Sequence, residues 1–171
     1  KVEIGSTLFD VFSAFDLKMT HGPVSARVNN KVEGMHYRVY NSKDVEFLDM
    51  NSASGSRAYT RTLFFVLCKA VQDIYPNTDV VIDIPVSNGF YVDIRLGRPV
   101  VDEDVNILRR RMQEIIDSKM PIRRFTVPTE EAIALFQEKG DVEKVKLLRT
   151  SGSIYTTYYK IGEYVDYYYG T

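Results

Sequence analysis

Apolar positions along the chain alternate between strand-like and helix-like spacing, and the changes of period mark its elements. KVEI at 1–4 reads as a short strand. TLFDVFSAF at 7–15 places Leu8, Val11, Phe12 and Phe15 at helical intervals, and His21-Gly22-Pro23 ends that pattern. VSARVNNKVEGM at 24–35 reads as strand, turn and strand, because Asn29 and Asn30 tolerate the positive φ of a tight turn. HYRVY alternates weakly, and VEFLDM at 45–50 is a further strand with Val45, Phe47 or Leu48 inward. NSASGS at 51–56, small and polar throughout, reads as a linker.

A long helix over 57–75 follows, with Leu63, Val66, Leu67, Ala70, Val71 and Ile74 as its buried stripe and Pro76 as its stop. DVVIDIPV and GFYVDIRL form a hairpin around Ser87-Asn88-Gly89. Pro99 and Asp102-Glu103-Asp104 open a second helix, since carboxylates favour the positive N-terminal end. Its apolar positions are Val105, Leu108, Met112 and Ile115. IRRFTV is a strand, and Pro128 with Glu130-Glu131 starts a third helix that Gly140 closes. Asp141–Leu148 is a short helix, and SIYTTYY with EYVDYYY makes a last hairpin around Ile161-Gly162. The class is α+β: a small β-grasp-like module over 1–52, then a sheet with helices over 53–171.

Composition narrows the function classes. The 171 residues are 44% hydrophobic and 26% charged, with a net charge of −1, so any affinity for nucleic acid has to come from a local basic patch. No apolar run reaches the roughly 18 residues of a membrane helix, and no signal peptide is visible. One cysteine, Cys68, excludes an intrachain disulfide and points to a reducing, cytoplasmic compartment. The first residue is Lys1, not Met, which reads as a chain cut from a longer one.

Nitrogen and sulfur ligands are scarce. His21, His36 and Cys68 are the full supply, divided between the two modules, which argues against a tetrahedral zinc site and against Cys-His or Ser-His-Asp catalysis. The histidines read as surface turn residues and Cys68 as a small core filler. Arg109, Arg110 and Arg111 stand on one helix and Arg123 and Arg124 on the next strand. A solvated face with an Arg110–Glu114 pair is one reading; contact with phosphate or an RNA backbone is the other. Tyr155, Tyr158, Tyr159, Tyr164, Tyr167, Tyr168 and Tyr169 fall on the last hairpin. They suit cross-strand packing, an aromatic platform for a nucleobase, or a docking surface.

The wording of these elements resembles a known pair of domains. VNNKVEGM within the first module is similar to a TGS domain, the β-grasp module of threonyl-tRNA synthetases, some GTPases and stringent-response nucleotide synthetases. The helix ending IYP, VSNGFYVDI, VDEDVNILRRRMQEII, TEEAIALFQEKGD and GEYVDYYYG resemble the editing (second additional) domain of threonyl- and alanyl-tRNA synthetases. In that domain a His-x-x-x-His pair, a Cys and a further His form a metal site or polar hydrolytic pocket. The resemblance places the His pair at Arg61 and Phe65, the Cys at Tyr168, and the last His beyond Thr171. Phenylalanine has no donor atom, and arginine stays cationic. Lys144 and Asp166 match the pocket's Lys and Asp, as a structural ion pair or as a residual pocket for an anion or hydroxyl.

A TGS module followed by an editing-like domain without its motif resembles the N-terminal region of bacterial uridine-kinase-like (nucleoside kinase) proteins. That resemblance implies a regulatory or ligand-binding accessory region with no catalytic residue of its own. Its partners would be its own C-terminal kinase domain, RNA or a small nucleotide. No G-x-x-x-x-G-K-[ST] phosphate loop occurs in the 171 residues, so the transferase chemistry, with ATP and Mg, is expected beyond Thr171 and no cofactor within. The alternative is a tRNA-binding or tRNA-editing (aminoacyl-tRNA deacylase) domain.

Overall fold

A computed structural model describes residues 1–87 and 89–167. The chain divides into two compact units, Lys1–Phe64 and Phe65–Thr171.

In the first unit, β1 (Ser6–Thr7) runs directly into α1 (Leu8–Ala14). Thr7 begins the helix because its hydroxyl accepts from the Asp10 amide while the Asp10 carboxylate accepts from the Thr7 amide at 2.8 Å. These hydrogen bonds hold the Asp10 carboxyl below its ordinary value. β2 (Ser25–Val28) and β3 (Lys31–Gly34) form the expected hairpin, and Asn29 and Asn30 have φ of 45° and 67°. β4 (Arg38–Val39) pairs antiparallel with β1, and β5 (Val45–Leu48) pairs antiparallel with the other edge of β2. Leu8, Ala26, Val28 and Met35 make the core, with Phe12 set edge-on to Phe47 at 5.1 Å.

Two expectations fail here. KVEI is not a strand: the Ser6 amide turns back to the Glu3 carbonyl, Gly5 takes φ 88°, and Ile4 stays 82% exposed. Nor is 51–56 a linker, because α2 (Ala53–Ile74) starts inside it. The Ser52 hydroxyl donates to the Asp49 carbonyl and accepts from the Gly55 amide, which gives the helix its N-terminal partner. Small residues are needed in that first turn: a Cβ on Gly55 would lie inside the van der Waals envelope of the Asp49 carbonyl oxygen.

The second unit is built on one antiparallel sheet of order β10-β9-β8, made of β8 (Ile122–Pro128), β9 (Tyr155–Ile161) and β10 (Tyr164–Asp166). The other strands, β6 (Val80–Val86) and β7 (Gly89–Ile94), form the two-stranded ribbon expected from the sequence. Three more helices are α3 (Asp102–Asp117), α4 (Thr129–Glu138) and α5 (Val142–Thr150). Alternation on the sheet serves two cores. Ile122, Tyr159, Ile161 and Tyr164 pack with Phe65, Val66, Ala70 and Val71 of α2 and Leu108 and Ile115 of α3. Val127, Tyr158, Val165 and Tyr167 pack with Ala132, Ile133 and Phe136 of α4 and Val145 and Leu148 of α5.

Asp104, the third residue of α3, is 3% exposed and holds the helix start in place. It accepts both Arg98 terminal nitrogens at 2.7 Å, the Tyr75 hydroxyl at 2.6 Å and the Val101 amide at 3.0 Å. The Arg98 and Tyr75 hydrogen bonds hold its carboxyl well below the usual carboxylate range.

Gly55→Ala is expected to cost about 1–3 kcal/mol by overpacking the α2 N-terminus. Gly34→Ala, whose Cβ meets nothing within 4 Å, should stay within about 0.5 kcal/mol of the parent in urea denaturation.

Candidate functional site

α5 starts at Asp141, whose carboxylate accepts the Lys144 amide at 3.0 Å and so caps the helix. One turn in, the Lys144 ammonium lies between two carboxylates, 2.8 Å from Asp141 and 2.9 Å from Asp166 on β10. It also sits 5.7 Å from the Phe136 ring centroid. Asp166 is further bound by the Tyr164 hydroxyl at 2.7 Å and the Tyr167 amide at 2.6 Å. The cluster is half-buried: the Lys144 and Asp166 side chains keep 26% and 14% of their exposure.

Burial pulls the Lys144 ammonium down, but the charge of Asp166 and the hydrogen bonds to both aspartates outweigh it and leave the pKa above the ordinary 10.5. Cys68, buried on α2, belongs to the same neighbourhood. Burial, with the Asp166 charge adding to it, pushes its thiol from 9.0 up to about 11, against a hydrogen bond with Tyr164.

The other positions implied by the resemblance behave differently. Phe65 is 2% exposed, its ring 5.2 Å from that of Tyr164 and 6.4 Å from that of Tyr159. Where a hydrolytic pocket needs a ligand or base, Phe65 supplies core. Arg61 is exposed on α2, one turn before Phe65. Tyr168 lies outside the described residues. Among the described residues, no three His, Cys, Asp or Glu side chains are grouped so as to hold a metal ion. His21 is exposed, and His36 is exposed with its ring 5.3 Å from Phe9.

The arginines separate. Arg111 donates to Asp73 at 3.0 and 2.9 Å and to Glu114 at 2.8 Å, so Glu114 is engaged by Arg111 where the sequence suggested Arg110. Three residues along the helix and an aspartate on α2 suit the Arg111 fork better than the Arg110 direction does. Arg109 and Arg110 remain exposed, and Arg109 helps line an apolar cavity of about 480 Å³ with Leu67, Val92, Ile94, Leu108 and Met112. Arg123 and Arg124 are exposed on opposite faces of β8, opposite Lys160 and Tyr159 of β9 respectively. Sequence reasoning missed the Arg98–Asp104–Tyr75 network. Its available signal was an aspartate at the third helical position, where a side chain can reach back to the helix start.

The chain is 30% identical over 163 residues to a threonine–tRNA ligase of Acetivibrio thermocellus, covering 95% of this chain and 26% of that protein. It is 28% identical over 161 residues to the enzyme of Clostridioides difficile, covering 94% and 25%. With the enzyme of Caldanaerobacter subterraneus it shares 27% over 165 residues, covering 96% and 26%. It is thus a homologue of part of the threonine–tRNA ligases and spans about a quarter of the length of these curated relatives. No family model matches the chain. Nothing in these relatives carries the kinase connection expected from the sequence. Among the described residues, no helix is long and apolar enough to cross a membrane.

Two outcomes follow from the cluster. The Cys68 thiol is expected to resist iodoacetamide at pH 7.5 in the native protein and to react within minutes once the chain is unfolded in urea. Lys144→Met should cost about 1–3 kcal/mol at pH 7, because it leaves carboxylates short of a donor. A lysine pKa raised by folding stabilises fully below the unfolded value. The difference between parent and variant in urea titrations should therefore hold below pH 10 and shrink as pH rises through the folded value.

Proposed function

We propose that this chain is a non-hydrolytic, tRNA-binding relative of the threonine–tRNA ligase region it matches. The support is the saturation of the Lys144 cluster. Asp166 takes three donors, Lys144 takes two carboxylates, and Phe65 fills its position with an apolar ring. A general base needs a free acceptor beside the bond it opens, and these groups already satisfy one another. With this reading go a TGS-type β-grasp assignment for residues 1–52, an editing-domain-like assignment for 53–171, and a cytoplasmic location.

A second reading makes the chain an accessory region of a nucleoside kinase, with its own kinase domain, ATP and Mg as partners. The replaced positions Arg61 and Phe65 favour it, since they set this chain apart from a working editing site. Nucleoside-dependent ATP turnover by the whole protein, altered on deleting residues 1–171, would establish it.

The test of the leading reading uses tRNA carrying a wrongly attached amino acid. The protein is expected to bind it, with affinity falling by about 10-fold or more between 50 and 200 mM salt, and to leave the ester at the uncatalysed rate. Hydrolysis above background that disappears in Lys144→Ala would overturn it.

A further inference from the structure

β8 and β9 place two cations directly opposite one another. Arg123 is the register partner of Lys160, and both project from the sheet face that α4 and α5 cover further along. A like-charged pair across antiparallel strands is destabilising, so it stands out against sheet packing. A third cation joins from another element: Lys139, at the C-terminus of α4, reaches the Glu163 carbonyl at 3.5 Å in the turn between β9 and β10. Among the described residues, the one carboxylate paired with any of the three is Glu163, 3.5 Å from Lys160 and 88% exposed. A pair that long and that exposed neutralises little.

Arg123 is exposed and has no carboxylate partner among the described residues. The chain as a whole carries −1, so this positive charge is concentrated locally. The platform is firm: behind the pair on the same face, Phe125 stacks on Tyr158 at 5.3 Å and 17°, and Tyr158 meets Phe136 of α4. On the opposite face, Arg124 stands across from Tyr159, whose neighbours are core residues, so its cross-strand partner is an aromatic ring and not a cation.

We infer that Arg123, Lys160 and Lys139 form a contact surface for the phosphate backbone of RNA. The inference rests on the tRNA-binding reading above and locates it. Two rigid-strand cations and one from a helix end suit a row of phosphates; they carry no base-reading geometry, so the contact is independent of sequence. The surface was half legible in the sequence, which offered Arg123 with Arg124 as neighbours. The register puts Lys160 in the place of Arg124, and the contact with the Glu163 carbonyl adds Lys139.

The test is fluorescence anisotropy with labelled tRNA across a salt series, comparing the parent with Arg123→Gln/Lys160→Gln, Lys139→Gln and Arg124→Gln. The double variant is expected to lose about 10-fold or more in affinity at low salt. It should also flatten the plot of log affinity against log salt by about 2, one for each lost phosphate contact. Lys139→Gln should flatten it by about 1, and Arg124→Gln should stay within about 2-fold of the parent. Thermal melting should show the double variant as stable as the parent or more so, since a repulsion is removed. Parent binding with an unchanged slope in the double variant, or an equal loss in Arg124→Gln, overturns the surface and leaves tRNA binding standing. A parent that binds no tRNA at any salt overturns both. Binding through this surface by a protein that also hydrolyses the ester keeps the surface and removes the non-hydrolytic reading.

Discussion

A sheet of three strands with apolar residues on both faces has to be covered twice, and the second unit follows from that requirement. β9 sends Tyr159 and Ile161 into the core shared with α2 and α3, and Tyr158 into the core shared with α4 and α5. β10 adds Tyr164 to the first and Val165 to the second, which Tyr167, just past the strand, also joins. Burying both faces is the main source of stability. It also draws Asp166, at the end of the short edge strand, into a poorly hydrated position. A carboxylate there must find donors. Lys144, Tyr164 and the Tyr167 amide supply them, which is why the charged pair and the packing belong together.

On the non-hydrolytic reading proposed above, that coupling is what separates a remnant of a site from a working one. Asp166 and Lys144 occupy positions that the family resemblance connects with hydrolysis, yet their partners here are structural. Asp141 caps α5 and binds the same lysine, so helix start and ion pair reinforce each other. The Asp104 network does the same for α3, using an arginine fork and a phenol. Both are buried or half-buried carboxylates satisfied by cations.

Much of this fold was readable where local chemistry decides. Asn29-Asn30 announced their turn, the 3-4 spacing from Val105 to Ile115 announced α3, and Pro128 with Gly140 bounded α4. Expectations failed where a few backbone hydrogen bonds outweighed pattern. KVEI has the alternation of a strand, but Gly5 and Ser6 turn the chain there. NSASGS has a linker's composition, but Ser52 caps a helix whose first turn must be small because the Asp49 carbonyl faces Gly55. Long-range charge pairing was least legible. The Arg111–Asp73 contact joins residues 38 apart in sequence, and the Arg123–Lys160 juxtaposition depends on a register that alternation alone does not set.

A double-mutant cycle on Lys144→Met and Asp166→Leu, followed in urea denaturation with tRNA affinity measured on the same four proteins, bears most directly on the claim that this pair is structural. The account predicts a coupling of about 0.5–3 kcal/mol, the double variant losing less than the sum of the singles, with tRNA affinity unchanged within about 2-fold. Additive or negligible stability effects, together with a loss of tRNA affinity or of ester hydrolysis, would contradict it and return Lys144 and Asp166 to a functional pocket.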